Sequence, residues 1–307
     1  MFKATHMEYK DYGHCIHLTN GVIELIATVD VGPRIVRYGY VDGVNILNDN
    51  QSAFEPVTDD EYEKYFGKGK QFNNYGGHRL WLSPEYYPDM YYPDNDQVEV
   101  EVFDNGIILT PPPQTENKVQ LRMRITLDPD DTNVTIEHTV VNYGDRVKEC
   151  ALWALTVAAK GGTEIIPLNT HDTGLLPNGK IELWPYTDLR TDNIYIGKKY
   201  VTIRQPQTGR LKLGFELKKG NIYYVVDDTV FMKNYYPNYP TGNYPDGGVS
   251  YETYSCDFFT ELETLSELKK IARNESLTHT ERWSLCKKPC DFDPADDDSI
   301  DNFIDKL

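Results

Sequence analysis

Within ten residues, Gly76-Gly77-His78-Arg79-Leu80-Trp81-Leu82-Ser83-Pro84-Glu85 sets an imidazole, a guanidinium, an indole and a carboxylate behind a flexible glycine pair. An imidazole moves protons, a guanidinium holds oxygens, and an indole offers a flat face. Together these are the groups that hold a sugar. Tyr86-Tyr87-Pro88 and Tyr91-Tyr92-Pro93-Asp94-Asn95 follow with more aromatic faces and short polar side chains. Far downstream, Glu261-Leu262-Glu263-Thr264 carries two carboxylates on one face of an extended segment. Desolvated side by side, they would raise each other's pKa and suit proton transfer. Each feature also has a plain structural reading. Trp81 could be core, Arg79 and Arg34 could pair with surface acids, and the two glutamates could line a solvated edge.

These groups need strands to aim them. Asn20-Gly21 and Asp42-Gly43 are hairpin signals, the first between Cys15–Thr19 and Val22–Thr28, the second between Arg34–Val41 and Val44–Leu47. Arg34, after Gly32-Pro33, falls at a strand end where it could face a cleft. Thr58-Asp59-Asp60-Glu61 is a capping box that opens a short helix ending at Gly67. Val119, Leu121, Met123, Ile125 and Leu127 alternate with polar residues, which predicts a strand with one buried and one wet face. His138 falls on the apolar face of the next strand and reads as a core histidine. Ala151-Leu152-Trp153-Ala154-Leu155-Thr156-Val157 does not alternate, so both its faces should be covered, with Trp153 apolar cover for a nearby carboxylate. Past Phe231-Met232-Lys233, a loop rich in Tyr and Pro, residues 235–246, matches residues 86–95 in make-up. The two should meet at one rim beside His78, Arg79 and Glu263.

Tyrosine is in excess, 23 copies against 11 Phe and 4 Trp, which suits a wet, half-buried groove. The formal net charge of −17 repels phosphate backbones and anionic membranes, so neither nucleic acid nor membrane is an expected partner. Five scattered cysteines and no leader or membrane-spanning run predict reduced thiols in a cytoplasmic protein. Motifs for phosphate loops, dinucleotide folds, nucleophile elbows and zinc helices are absent, so no cofactor or metal is expected. The chain reads as all-β, a large antiparallel β-sandwich over residues 1–290 with an acidic tail over 291–307. Nothing in it speaks to oligomeric state.

The order of these motifs resembles the galactose-mutarotase-like superfamily, in which aldose 1-epimerases are the best understood members. More narrowly, it resembles a domain-of-unknown-function branch with the same Gly-Gly-His-Arg-Leu-Trp block. The resemblance spans roughly residues 8 to 286 and rests on Gly32-Pro33-Arg34-Ile35, the glycine block, Leu152-Trp153-Ala154-Leu155-Thr156, Glu261-Leu262-Glu263-Thr264-Leu265, Asn274-Glu275-Ser276 and Glu281-Arg282-Trp283. It implies a sandwich whose concave sheet holds a small-molecule carbohydrate, with Glu263 as the base that takes the C1 hydroxyl proton. Where the enzymes carry an acid histidine, this chain has Leu152-Trp153-Ala154, and His78 is the residue expected to stand in. Arg34, Arg79, Trp81, Glu85, Trp153, Lys233 and Glu261 are the expected sugar contacts. Two other functions fit the same residues: a lyase or another epimerase using Glu263 and His78, or a sugar-binding sensor without catalysis.

Overall fold

A computed structural model describes residues 1–50, 55–207 and 209–307. The chain folds into two large antiparallel sheets, one of eleven strands and one of ten, packed face to face. In the first sheet the central strands run, in spatial order, Ile35–Tyr40, His78–Ser83, Lys148–Ala158, Thr260–Leu265, Tyr251–Ser255 and Leu211–Phe215. The N-terminal strands Lys3–Glu8, His14–Thr19 and Ile23–Thr28 extend one side, the last two joined through Asn20-Gly21 as the hairpin signal predicts. In the second sheet, Thr229–Tyr235, Ser276–Lys287, Val134–Asn142 and Val119–Leu127 are neighbours. Val119–Leu127 alternates buried and more accessible residues along its length, as its sequence pattern requires. Isoleucine, valine, leucine and aromatic side chains from both sheets fill the space between them.

Asp42-Gly43 does not make a full hairpin: Ile35–Tyr40 is a strand, but on the far side Leu47 makes only an isolated bridge to Ala158. The chain is diverted there to cover the end of a central strand. The short helix spans Asp60–Phe66, capped by Asp59, whose side chain accepts from the Tyr62 amide. Its buried Tyr62 and Phe66 pack on Tyr87 and Tyr92, so it sits over the tyrosine-rich loop. The acidic C-terminal stretch forms a helix, Asp297–Ile304, whose Ile300 and Phe303 are buried against the second sheet.

The glycine pair has a specific task. Gly77 has φ +63°, and a Cβ there would lie 2.2 Å from the Ile35 carbonyl oxygen. Only glycine lets the chain turn this close to its neighbour before entering His78–Ser83.

Candidate functional site

Period two decides which side chains meet. His78–Ser83 sends Arg79 and Trp81 to the outer, concave face and His78 and Leu80 inward. Its partner Lys148–Ala158 pairs Trp153 with Trp81 and Leu155 with Arg79, so Trp153 and Leu155 also face outward. On the other side of that strand, Leu155 pairs with Glu263. Glu263 in turn lies opposite Glu252, and Glu261 opposite Tyr254. Tyr254 pairs with Lys212. One face of five adjacent strands therefore carries Arg79, Trp81, Trp153, Glu261, Glu263, Glu252, Tyr254 and Lys212.

This face floors a cavity of about 360 Å³, with Glu85, Tyr91, Tyr186 and Arg210 at its walls. Glu263 is fully buried at the bottom. The Trp153 indole Nε1 donates to its Oε2 at 2.8 Å, and the Lys212 ammonium lies 3.5 Å from the same oxygen. Its other oxygen has no protein partner among the described residues. Burial pushes the carboxyl up to about 7, with the Glu261 charge adding to the rise and Lys212 and Trp153 pulling against it. Lys212 also pairs with Glu252 at 2.9 Å and stands over the rings of Trp153 and Trp184, 4.4 and 4.7 Å from their centroids. Burial alone would lower this ammonium's pKa, but Glu263, Glu252 and Glu85 raise it above its ordinary value. Burial holds the Glu252 carboxyl well above its own, despite Lys212. Arg79 stacks on Trp81 with its guanidinium carbon 4.2 Å from the ring centroid and donates to Glu261 at 3.0 Å. Its Nε and Nη1 have no protein acceptor among the described residues.

The expected site residues divide sharply. Arg79, Trp81, Glu85, Trp153, Glu261 and Glu263 line the one cavity. His78, Lys233 and Arg34 do not. His78 is fully buried between the sheets and hydrogen-bonds Thr156 Oγ1 and His138 Nε2, both at 2.8 Å. As the neighbour of Arg79 on a strand, it must point the opposite way, so it cannot reach a ligand beside Glu263. Lys233 comes from the second sheet and is likewise fully buried, ending 3.0 Å from Glu281 and donating to the Ala154 and Leu262 carbonyls at 3.1 and 2.8 Å. Arg34 is held by Asp94 at 2.6 Å behind the rings of Phe72 and Tyr75. Of the two Tyr/Pro loops expected at one rim, residues 86–95 reach the cavity through Tyr91, whereas none of its described lining comes from 235–246. Tyr244 of the second loop packs in the same buried cluster as Trp81 and Trp153.

Sequence reasoning missed Lys212, Glu252, Arg210, Tyr186 and Tyr254. Leu211-Lys212-Leu213 and Tyr251-Glu252-Thr253 were legible as strands with one polar side each, but which strands lie beside Glu263 was not.

His78, His138 and Glu281 come close enough together to suggest metal ligands. They do not fit an ion. The two imidazoles already bond to each other, and Glu281 is occupied by Lys233, Thr264 and Trp283. A lysine ammonium at that point opposes a second cation.

No family model and no curated protein sequence matches this chain. Its fold does match solved structures. A galactose mutarotase-like protein from Lactobacillus casei ATCC 334 aligns with a TM-score of 0.57 at 10% identity, covering 89% of this chain and 100% of the other. A candidate mutarotase from Salmonella typhimurium gives 0.56 at 11% identity, over 92% and 94% of the two chains. A candidate aldose 1-epimerase from Escherichia coli K12 gives 0.50 at 12% identity, over 94% and 100%. The chain has the galactose mutarotase-like β-sandwich fold.

Proposed function

We propose that the protein is an aldose 1-epimerase-like enzyme that binds a sugar in the concave cleft, with Glu263 as the base. The observation that carries this is Glu263 itself: a fully buried carboxyl at the floor of an aromatic-walled cavity, with a pKa of about 7 and one oxygen unpartnered. Such a group is part ionised at neutral pH, where a base that must take and return a proton works best. Trp81 and Trp153 would hold the Arg79 and Lys212 cations against the sugar, and Arg79 and Glu261 would hold its hydroxyls. As the C1 hydroxyl loses its proton to Glu263, the bond from C1 to the ring oxygen breaks, C1 becomes an aldehyde and charge gathers on the ring oxygen. Lys212, protonated and beside Glu263, is the donor that would stabilise that charge in place of the histidine the sequence suggested. Rotation and reclosure reverse the proton transfer. Membership of the narrower branch with the Gly-Gly-His-Arg-Leu-Trp block, and a cytoplasmic setting, belong to this reading. All five cysteines are free thiols, and among the described residues no helix is long and apolar enough to cross a membrane.

Interconversion of anomers, followed by polarimetry or NMR exchange on a panel of aldoses, tests the reading. Glu263→Gln keeps the shape but cannot take a proton, and should slow turnover by about 10²–10⁴-fold while leaving sugar affinity within a few-fold. Equal rates in the two proteins remove Glu263 from catalysis. One observation favours a second reading, a sugar-binding protein without turnover: no imidazole faces the cleft among the described residues, and Lys212 holds its proton tightly. Saturable binding with no anomer exchange in the wild type would select it.

A further inference from the structure

The cleft above Glu263 does not end at its rim. A second cavity of about 430 Å³ adjoins it, and Asn74, Tyr91, Arg210, Tyr254 and Phe259 line both. Each alone exceeds the roughly 300 Å³ at which small-ligand pockets begin. A single sugar unit seated with C1 at Glu263 would therefore leave the second space unused. That second space has the same kind of lining as the first. Phe258 offers an exposed ring, the buried Phe72 an apolar back wall, and Asp257 and Arg210 offer polar groups. Phe258 is 57% exposed, a large apolar ring left open to solvent at the edge of a groove. Arg210, between the two cavities, is exposed and forms no salt bridge among the described residues. Among the described residues, its only carboxyls are the exposed Glu55 and Asp257, and none is a buried counterpart of Glu263.

We infer that this second cavity is a subsite for a further sugar unit, so that the ligand is a reducing disaccharide or the reducing end of a longer neutral oligosaccharide. The inference rests on the sugar-binding reading of the cleft. The chemistry fixes the polarity of the ligand. Ring opening needs a free hydroxyl at C1, so the unit at Glu263 is the reducing end and the second unit is linked through another of its carbons. The acids Asp257 and Glu55 at the second cavity, on a chain of net charge −17, favour an uncharged unit over a uronate or sulfated one.

Calorimetry and anomer exchange with glucose and galactose, set beside maltose, cellobiose and lactose, provide the test. At least one disaccharide should bind about 10-fold or more tightly than its own reducing-end monosaccharide. Phe258→Ala, a change at an exposed position that should not disturb folding, should bring that ratio toward one. Monosaccharides binding as well as or better than every disaccharide, or an unchanged ratio in Phe258→Ala, overturns the subsite while leaving the cleft reading intact. Binding of neither class removes both.

Discussion

The strands that floor the cleft are polar on both faces, and the two faces treat their charges differently. Outward, Glu263 Oε1, Glu252 Oε1 and two Arg79 nitrogens find no protein partner among the described residues. Inward, a cluster of similar composition is almost closed. Lys233 donates to Thr156 Oγ1 at 2.7 Å and to two backbone carbonyls, and pairs with Glu281. Since Thr156 accepts from Lys233, its own hydroxyl is free to donate to His78 Nδ1. His78 then donates from Nε2 to His138. Glu281 accepts from Thr264 and Trp283 as well. Glu164 accepts from Tyr251 and Thr253. A buried polar group without a partner costs about 1–3 kcal/mol, so a protein tolerates several together chiefly where a ligand will complete them. The inward cluster ties the sheets together, and the outward one waits for a visitor.

The largest way to break this contrast is at Lys233. Lys233→Met leaves Glu281 buried and unpaired, and should lower stability by about 3–5 kcal/mol in chemical denaturation. Adding Glu281→Leu removes the stranded charge and should recover most of the loss. A cost below about 1 kcal/mol for Lys233→Met would mean that the inward cluster is not structural. Trp153→Phe asks the opposite question of the outward face. It deletes the donor that steadies ionised Glu263, so the Glu263 pKa should rise and the acid limb of the pH–rate profile should move up by about one unit. An unmoved limb would dissociate Trp153 from the base.

Stability against pH tests the contrast in a third way, and here the two faces have opposite signs. Burial lowers the imidazoles of His138 to about 3 and His279 to about 4, from an ordinary value near 6.5. The unfolded chain protonates first, so these groups cost stability as pH falls from 6.5 toward 3 to 4. Glu263 is raised from an ordinary 4.5 to about 7. The folded chain keeps that proton longer, so this group costs stability as pH rises from 4.5 to 7. Glu263→Gln should remove about one proton's worth of the decline, and His138→Asn about one of the acid-side loss, in urea midpoints taken across pH 4 to 8. Parallel curves for wild type and either variant would refute the assignment for that residue.

Much of this arrangement was written in short-range pattern. Asn20-Gly21 marked its hairpin, strict alternation marked Val119–Leu127, and the two-residue spacing of Glu261 and Glu263 put both on one face. The same rule, applied to His78 and Arg79, already forbids them from sharing a site in a regular strand. The chemical appeal of a histidine behind two glycines obscured that. Lys212 and Glu252 were hidden for another reason. Their strands are visible locally, but they become neighbours of Glu263 only through cross-strand register, which is set by packing across the whole sheet. Lys233 carried no local sign either: a lysine in a strand reads as solvent-facing until the opposite sheet supplies Glu281.

The order of strands also bears on how the protein is made. Thr260–Leu265 is inserted between Lys148–Ala158 and Tyr251–Ser255, and Ser276–Lys287 between Thr229–Tyr235 and Val134–Asn142. Each keystone follows in sequence both of the strands it joins. Until it is in place, each half-built sheet ends in a raw hydrogen-bonding edge next to hydrophobic surface. A chain lacking Thr260 onward would have neither sheet joined, and each part-sheet would keep an unpaired edge open to strands of other chains.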